Sequence, residues 1–350
     1  MSQAERPPGG WRAAPPLRYV PYQDLNGQPS VIVDGSPAEG TVLCLSHWPG
    51  IGGPPEFQAD LSAQMAFAYL PAYDRHGAAA AASNNHFDQD GLVALYALVR
   101  PEQALARQEL LIDVARAGDF ATYTHRDAAR ISMTLSSYAT PDRSPMTGLS
   151  EDYHTMSAQL YSEMLDRLPE LADHPERFRD VWAEEDASLT ASERAVAGGG
   201  VTIEEVPELD LAVVNVPAGA PSAGGHRFAG RWDEGLHPMA VCNATERTAL
   251  LVIRDGSCEF SYRYETWVRL QTRRPRPRVD LAPLADQFNA AETGPGQWVA
   301  EPVSSLTPTL RLTGAEGSSL SPASIRAAVE ERLRTGVPAW HPYDHPAADA

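Results

Sequence analysis

Apolar residues in this chain fall into short unbroken runs separated by longer stretches at helical spacing. Val31–Val33 is the first run and stops at Asp34; Thr41–Leu45 is the second and stops at Ser46-His47-Trp48-Pro49. Runs this short and this aliphatic predict buried strands. From Glu56 to Leu70 the residues Phe57, Leu61, Met65 and Ala68 recur at helical spacing and predict a helix. The run Ala78–Ala82 reads as a further strand, and Leu92–Val99 as a short apolar helix. Helices are also predicted over Glu102–Ala117, which Gly118 stops just before Asp119, over Glu151–Leu168 and over Pro175–Ala197. Strands alternating with helices predict an α/β domain whose sheet is mostly parallel and flanked by helices.

Gly198-Gly199-Gly200 ends this texture. Beyond it the pattern predicts strands at Val201–Val206, Leu209–Val216 and Met239–Cys242, and a hairpin of Ala249–Ile253 with Cys258–Tyr264 around Asp255-Gly256. Helices at Asp280–Ala291 and Pro322–Thr335 complete a smaller α+β C-terminal domain. The expected organisation is a loose Pro/Gly/Ala-rich arm over 1–29, an α/β domain over 30–197, the α+β domain over 201–340 and a tail over 341–350. A length of 350 residues suits two domains.

Composition narrows the chemistry. The formal charge of −18 argues against a grip on long duplex nucleic acid. The chain contains no lysine, so all 28 basic residues are arginine. That excludes a Schiff-base lysine, a pyridoxal-phosphate anchor and a P-loop lysine. Cys44, Cys242 and Cys258 stand alone, as in a reducing compartment. With no apolar leader and no long uncharged apolar run, the expectation is a cytoplasmic protein with no membrane partner.

The stretch NNHFDQDGLVALYALV places His86, Asp88 and Asp90 at alternate positions. In an extended segment such residues point to one side. Asp34 and His47 each follow a predicted strand, at the sheet edge where open α/β folds hold ligands, and Asp119 sits at a helix-to-loop junction. Four carboxylates and two imidazoles would suit one or two Mn²⁺ or Mg²⁺ ions. A pair of such ions about 3.5–4 Å apart can generate a hydroxide and clamp a phosphoryl group. The plainer alternative makes Asp88 or Asp90 a helix N-cap and His86 a surface residue. A third reading, His86-x-Asp88 in a non-haem Fe(II) triad, calls for a β-helix that the helical periodicities oppose.

Arg254, Arg263, Arg269, Arg273, Arg274, Arg276 and Arg278 form a basic concentration in an acidic chain. Guanidinium forks suit phosphate oxygens, although a charge run is also how a solvated edge reads. His226 and Arg227 follow Gly224-Gly225, whose backbone could approach an anion.

HFDQDGLVALYAL resembles the first motif of the DHH-type phosphoesterases, His-x-Asp-x-Asp-Gly before a small-residue helix. VLCLSHWPG resembles that family's strand ending in Asp-His-His, with His47 matching one histidine and Ser46 and Trp48 departing from the pattern. In the family this strand follows the first motif, whereas here it precedes it, so a permutation is implied. Asp34 and Asp119 resemble the family's isolated metal-binding aspartates. RPRVDLAPLADQFNAAE resembles a helix region of the substrate-binding domain that accompanies the family.

The resemblance implies metal ligation by Asp34, His47, His86, Asp88, Asp90 and Asp119, with His47 and Asp88 catalytic. His226, Arg227, Arg263, Arg269 and Arg273 would bind substrate. The implied activity is Mn²⁺- or Mg²⁺-dependent hydrolysis of a small phosphorylated ligand or short nucleotide by metal-activated water. The alternative is a non-catalytic ligand-binding or regulatory protein that keeps the fold.

Overall fold

Short aliphatic runs in the first half of the chain assemble into one parallel sheet. The computed structural model describes residues 14–345 apart from Gly52, 77–78, 220–235 and 255–256. Strands β1 (Arg18–Tyr19), β2 (Ser30–Val33) and β3 (Thr41–Leu45) precede helix α1 (Ser62–Tyr69), and β4 (Ala81–Ser83) follows it. The strand order is β1-β4-β2-β3, and every pairing is parallel. Val31, Ile32, Val33, Leu45, Ala81 and Ala82 are fully enclosed, as a parallel sheet covered on both faces requires. Val33 lies opposite Leu45 and Ile32 opposite Ser83, so the residues after β2, β3 and β4 leave from one edge.

The loose arm expected over 1–29 is corrected where the chain is described. Ala14 and Leu25 are buried, β1 pairs with β4, and the Ser83 hydroxyl donates to the Val20 carbonyl at 2.6 Å. Prolines dilute the short apolar segment there, yet the sheet still recruits it.

Helices α2 (Gln89–Val99), α3 (Pro101–Leu105), α4 (Gln108–Asp119), α5 (Arg126–Tyr138), α6 (Tyr153–Asp173) and α7 (Arg179–Ala197) follow; α2 packs on the sheet, and α4, α5 and α7 pack in turn behind it. Leu92 to Leu98 of α2 are all buried, which explains a helix apolar on every side. The predicted helix from Glu56 shrinks to α1, because Leu61 is extended at φ −124° and ψ 142°. The helix predicted over Glu102–Ala117 splits where Arg107 leaves helical geometry at φ −129°. Helix α5 was not expected, since serines and threonine interrupt its apolar stripe of Ala128, Ile131 and Leu135.

The second domain contains β5 (Thr202–Val206), β6 (Leu211–Val216), α8 (Pro238–Cys242), β7 (Ala249–Arg254) and β8 (Ser257–Tyr262). After them come β9 (Arg278–Val279), α9 (Ala282–Ala291), β10 (Gln297–Ala300), β11 (Thr309–Thr313), α10 (Pro322–Thr335) and β12 (Pro338–Trp340). Its mixed sheet has the order β10-β11-β8-β7-β6-β5, while β9 and β12 form a small ribbon. Met239–Cys242 is helix α8 and not the expected strand. Pro238 opens it, and the His237 ring accepts the Met239 amide at 3.2 Å.

The molecule is thus α/β with two domains. Val268 and Leu270 of the second domain are buried in the first domain's core. Among the described residues no helix is long and apolar enough to cross a membrane, and Cys44, Cys242 and Cys258 are free and buried.

Candidate metal centre

Each acidic or imidazole side chain at the sheet edge is aimed by local backbone structure. Asp34 follows β2 with φ at 44°, in the left-handed region that aspartate tolerates better than most residues. Its amide still donates to the Leu45 carbonyl at 2.9 Å, so the chain turns outward while tied to β3. Such backbone strain concentrates at functional sites.

His47 lies just past β3. Its Nδ1 donates to the Asp60 carbonyl at 2.7 Å, which leaves the Nε2 lone pair facing the cluster. His86 is anchored through its carbonyl, which accepts the Tyr161 hydroxyl at 2.7 Å. Its amide donates to the Asn84 side chain at 2.9 Å.

Asp88 does cap α2, accepting the Gly91 amide on Oδ1 at 2.8 Å, so the plainer reading holds for half of its carboxylate. Its Oδ2 faces His86 Nε2 at 2.8 Å. Asp90 instead reaches the start of α1, where Ser62 and Ala63 donate their amides at 2.7 and 2.8 Å. Gly91 is dictated by packing, because a Cβ there would lie 2.6 Å from the Tyr161 hydroxyl.

The six side chains converge. His47 Nε2 lies 3.4 Å from Asp34 Oδ1, 3.5 Å from Asp119 Oδ2 and 3.9 Å from Asp90 Oδ2. His86 Nε2 lies 3.4 Å from Asp34 Oδ2. Two groups could each hold a cation: Asp34 with His47 and Asp90, and Asp34 with His86 and Asp88. Asp34 belongs to both, through opposite oxygens. Ligand atoms around a small divalent cation sit about 3–3.5 Å from one another, so most of these spacings suit coordination better than direct hydrogen bonding.

The electrostatics agree. Burial raises the Asp34 carboxyl well above its usual range, and Asp88 and Asp90 push it further. Burial, with Asp90, Asp88 and Asp34 nearby, does the same to Asp119. Burial and Asp88 raise Asp90 to about 7 despite the two amides it accepts. Burial lowers His47 to about 4, so its ring is neutral. Among the described residues, His47 Nε2 and Asp119 Oδ2 are buried with no hydrogen-bond partner. Unsatisfied atoms of this kind call for a missing partner, and a cation would supply one.

The chain matches the family described as a family of unknown function (DUF6687) over residues 15–344. It belongs to DUF6687. No curated protein and no solved structure matches it.

In this DUF6687 chain the arginine expectations fare differently from the acidic ones. Arg263 is buried and donates to the carbonyls of Thr245 and Phe120 and to Glu265, so it is a structural tie. Arg278 is likewise enclosed by the carbonyls of Val303, Ser305 and Leu306. Arg273 donates to Glu246 and Glu265 and lines a separate cavity together with Arg263. Arg269 meets the centre through its backbone amide, which donates to the His47 carbonyl at 2.8 Å, while its guanidinium lies over Tyr343. His226 and Arg227 lie outside the described residues.

His47 is enclosed and faces carboxylates, as a metal ligand would. The sequence reading missed Ser62, whose hydroxyl donates to Asp34 Oδ1 at 2.9 Å and accepts the His47 amide at 3.3 Å. It also missed Asp60, Tyr161 and Tyr264, the last of which sets its ring edge to face against His47 at 5.9 Å. None of these sits in a local motif, so only tertiary packing reveals them.

Proposed function

We propose that the DUF6687 chain holds a pair of divalent cations bridged by Asp34 and uses them to hydrolyse a phosphoester. The supporting observation is that Asp34 is shared between the His47–Asp90 group and the His86–Asp88 group. Imidazole in the ligand set favours Mn²⁺ over Mg²⁺. The cations would polarise a phosphoryl oxygen and lower the pKa of a bound water.

His86 and Asp88 form the accessible edge, with side chains 16% and 12% exposed, whereas His47 and Asp90 are closed off. Substrate therefore approaches over His86 and Asp88, beside Trp48 and Trp267. The substrate class is a small phosphorylated molecule or short nucleotide, since the overall negative charge disfavours long duplex nucleic acid.

A second reading is a metal-binding protein without turnover. It is favoured by Trp48, whose ring lies 5.3 Å from that of His86 and narrows the entrance. The test is metal content by mass spectrometry together with hydrolysis of bis(p-nitrophenyl) phosphate and short oligonucleotides, with and without Mn²⁺. Mn²⁺-dependent hydrolysis abolished by Asp34→Asn supports the enzyme. Bound Mn²⁺ without hydrolysis supports the second reading, and a chain that takes up no cation overturns both.

A further inference from the structure

We propose that a cavity between the two domains is a second binding site, separate from the acidic cluster, for a small anion bearing a phosphate or carboxylate group. Its volume is about 740 Å³, large enough for a small organic ligand. The walls come from both domains, with Gln64, Arg116 and Thr124 on one side and Asn243, Arg247 and Arg273 on the other. None of the six cluster residues lines it.

Arg116, Arg247, Arg263 and Arg273 share this cavity with Asp60, Glu205, Glu246 and Glu265, so formal charges balance. Hydrogen bonds do not. The Asp60 carboxylate accepts the Gln271 and Thr272 amides and the Thr272 hydroxyl. Glu265 is taken by Arg263 at 2.5 Å and Arg273 at 3.3 Å. Glu205 accepts the Thr245 hydroxyl at 2.5 Å. Glu246 is exposed.

The donors are less well served. Among the described residues Arg116 pairs with Asp113 alone, at 3.5 Å, and that carboxylate already accepts the amides of Thr124 and His125. Arg247 stands 3.4 Å from Glu205 and 3.7 Å from Asp210. Nε of Arg247 is buried and makes no hydrogen bond among the described residues, facing Glu205 only at 3.4 Å. Guanidinium N–H groups in a polar cleft whose Asp60, Glu205 and Glu265 carboxylates are already engaged suit an incoming oxyanion.

Calorimetric titration of the metal-free full chain with inorganic phosphate, and separately with citrate, tests the site. The expected result is saturable binding of at least one probe with a dissociation constant below about 10 mM. The Arg116→Gln, Arg247→Gln double variant should weaken it by about tenfold or more, while His86→Ala leaves it unchanged. Protection of Arg116 and Arg247 from phenylglyoxal by the same anion, read by peptide mass spectrometry on the unaltered chain, gives a measurement that does not depend on a variant folding.

Absence of saturable binding, absence of protection at both arginines, or loss of binding in His86→Ala would overturn the proposal. Because every arm is run without metal, failure here leaves the Mn²⁺ reading standing, and failure of that reading leaves this one standing.

Discussion

His47 and Arg269 are tied across the domain boundary, the amide of Arg269 donating to the carbonyl of His47 at 2.8 Å. Beside that tie, Asp60 holds His47 Nδ1 with its carbonyl and the second domain's Gln271 and Thr272 amides with its carboxylate, at 2.5 and 2.9 Å. The orientation of a buried imidazole in one domain thus depends on the docking of the other.

Asp60→Ala removes the carboxylate half of this clamp. We expect a stability loss of about 1–3 kcal/mol and weaker Mn²⁺ binding. Chemical denaturation and a metal titration read the two effects. Unchanged Mn²⁺ affinity in a destabilised variant would show that His47 is held without the second domain.

The metal-free chain should lose stability as pH rises. Asp90 moves from an ordinary value of 3.8 to about 7 on folding, and Asp34 and Asp119 are also raised. Between those values the fold retains protons that the unfolded chain releases, so raising the pH favours unfolding. His47, lowered from 6.5 to about 4, acts in the opposite sense below its ordinary value, one imidazole against three carboxyls. In chelator, Tm should fall from about pH 5 to about pH 7.5, and Mn²⁺ should raise it most at the upper end, where the ligands deprotonate readily. A Tm in chelator that rises or stays level over that range contradicts this account.

Asp34→Asn and His86→Ala should differ in stoichiometry. The first removes charge from a group common to both candidate sites and should leave the chain with neither ion firmly bound. The second spares Asp34, His47 and Asp90 and should leave one. Equilibrium dialysis with Mn²⁺ followed by elemental analysis distinguishes them. Equal stoichiometry in the two variants would count against Asp34 as a bridge.

Gly91→Ala should cost about 1–3 kcal/mol by overpacking, since its methyl would press on the Asn84 side-chain amide and the Tyr161 hydroxyl. Tyr161→Phe should cost about 1 kcal/mol, because it gives up the hydrogen bond to the His86 carbonyl. Thermal melts of both variants check these values. A neutral Gly91→Ala would mean that Asn84 and Tyr161 both yield easily and do little to fix His86.

Legibility in the sequence followed locality. Asp34 and His47 could be read because each ends a run that must be a buried strand, and parallel strands deliver their next residues to one edge. Alternation drew attention to His86, Asp88 and Asp90, but the extended segment it assumed ends at Asp88; Asp90 lies in the first turn of α2 and reaches α1. Arg263 and Arg278 were misjudged because a guanidinium held by backbone carbonyls looks, in sequence, the same as one waiting for phosphate. The strand expected at Met239–Cys242 failed because Pro238 and the His237 cap outweighed an apolar run too short to fix its own period.

Trp48 and Trp267 come from different domains and meet edge to face, their rings 5.5 Å apart. Trp48 also stands beside the more open histidine. The chain therefore carries its own optical gauge: a change in the separation of the two halves, or a paramagnetic ion settling next to that imidazole, alters the emission of the same indole without any attached label.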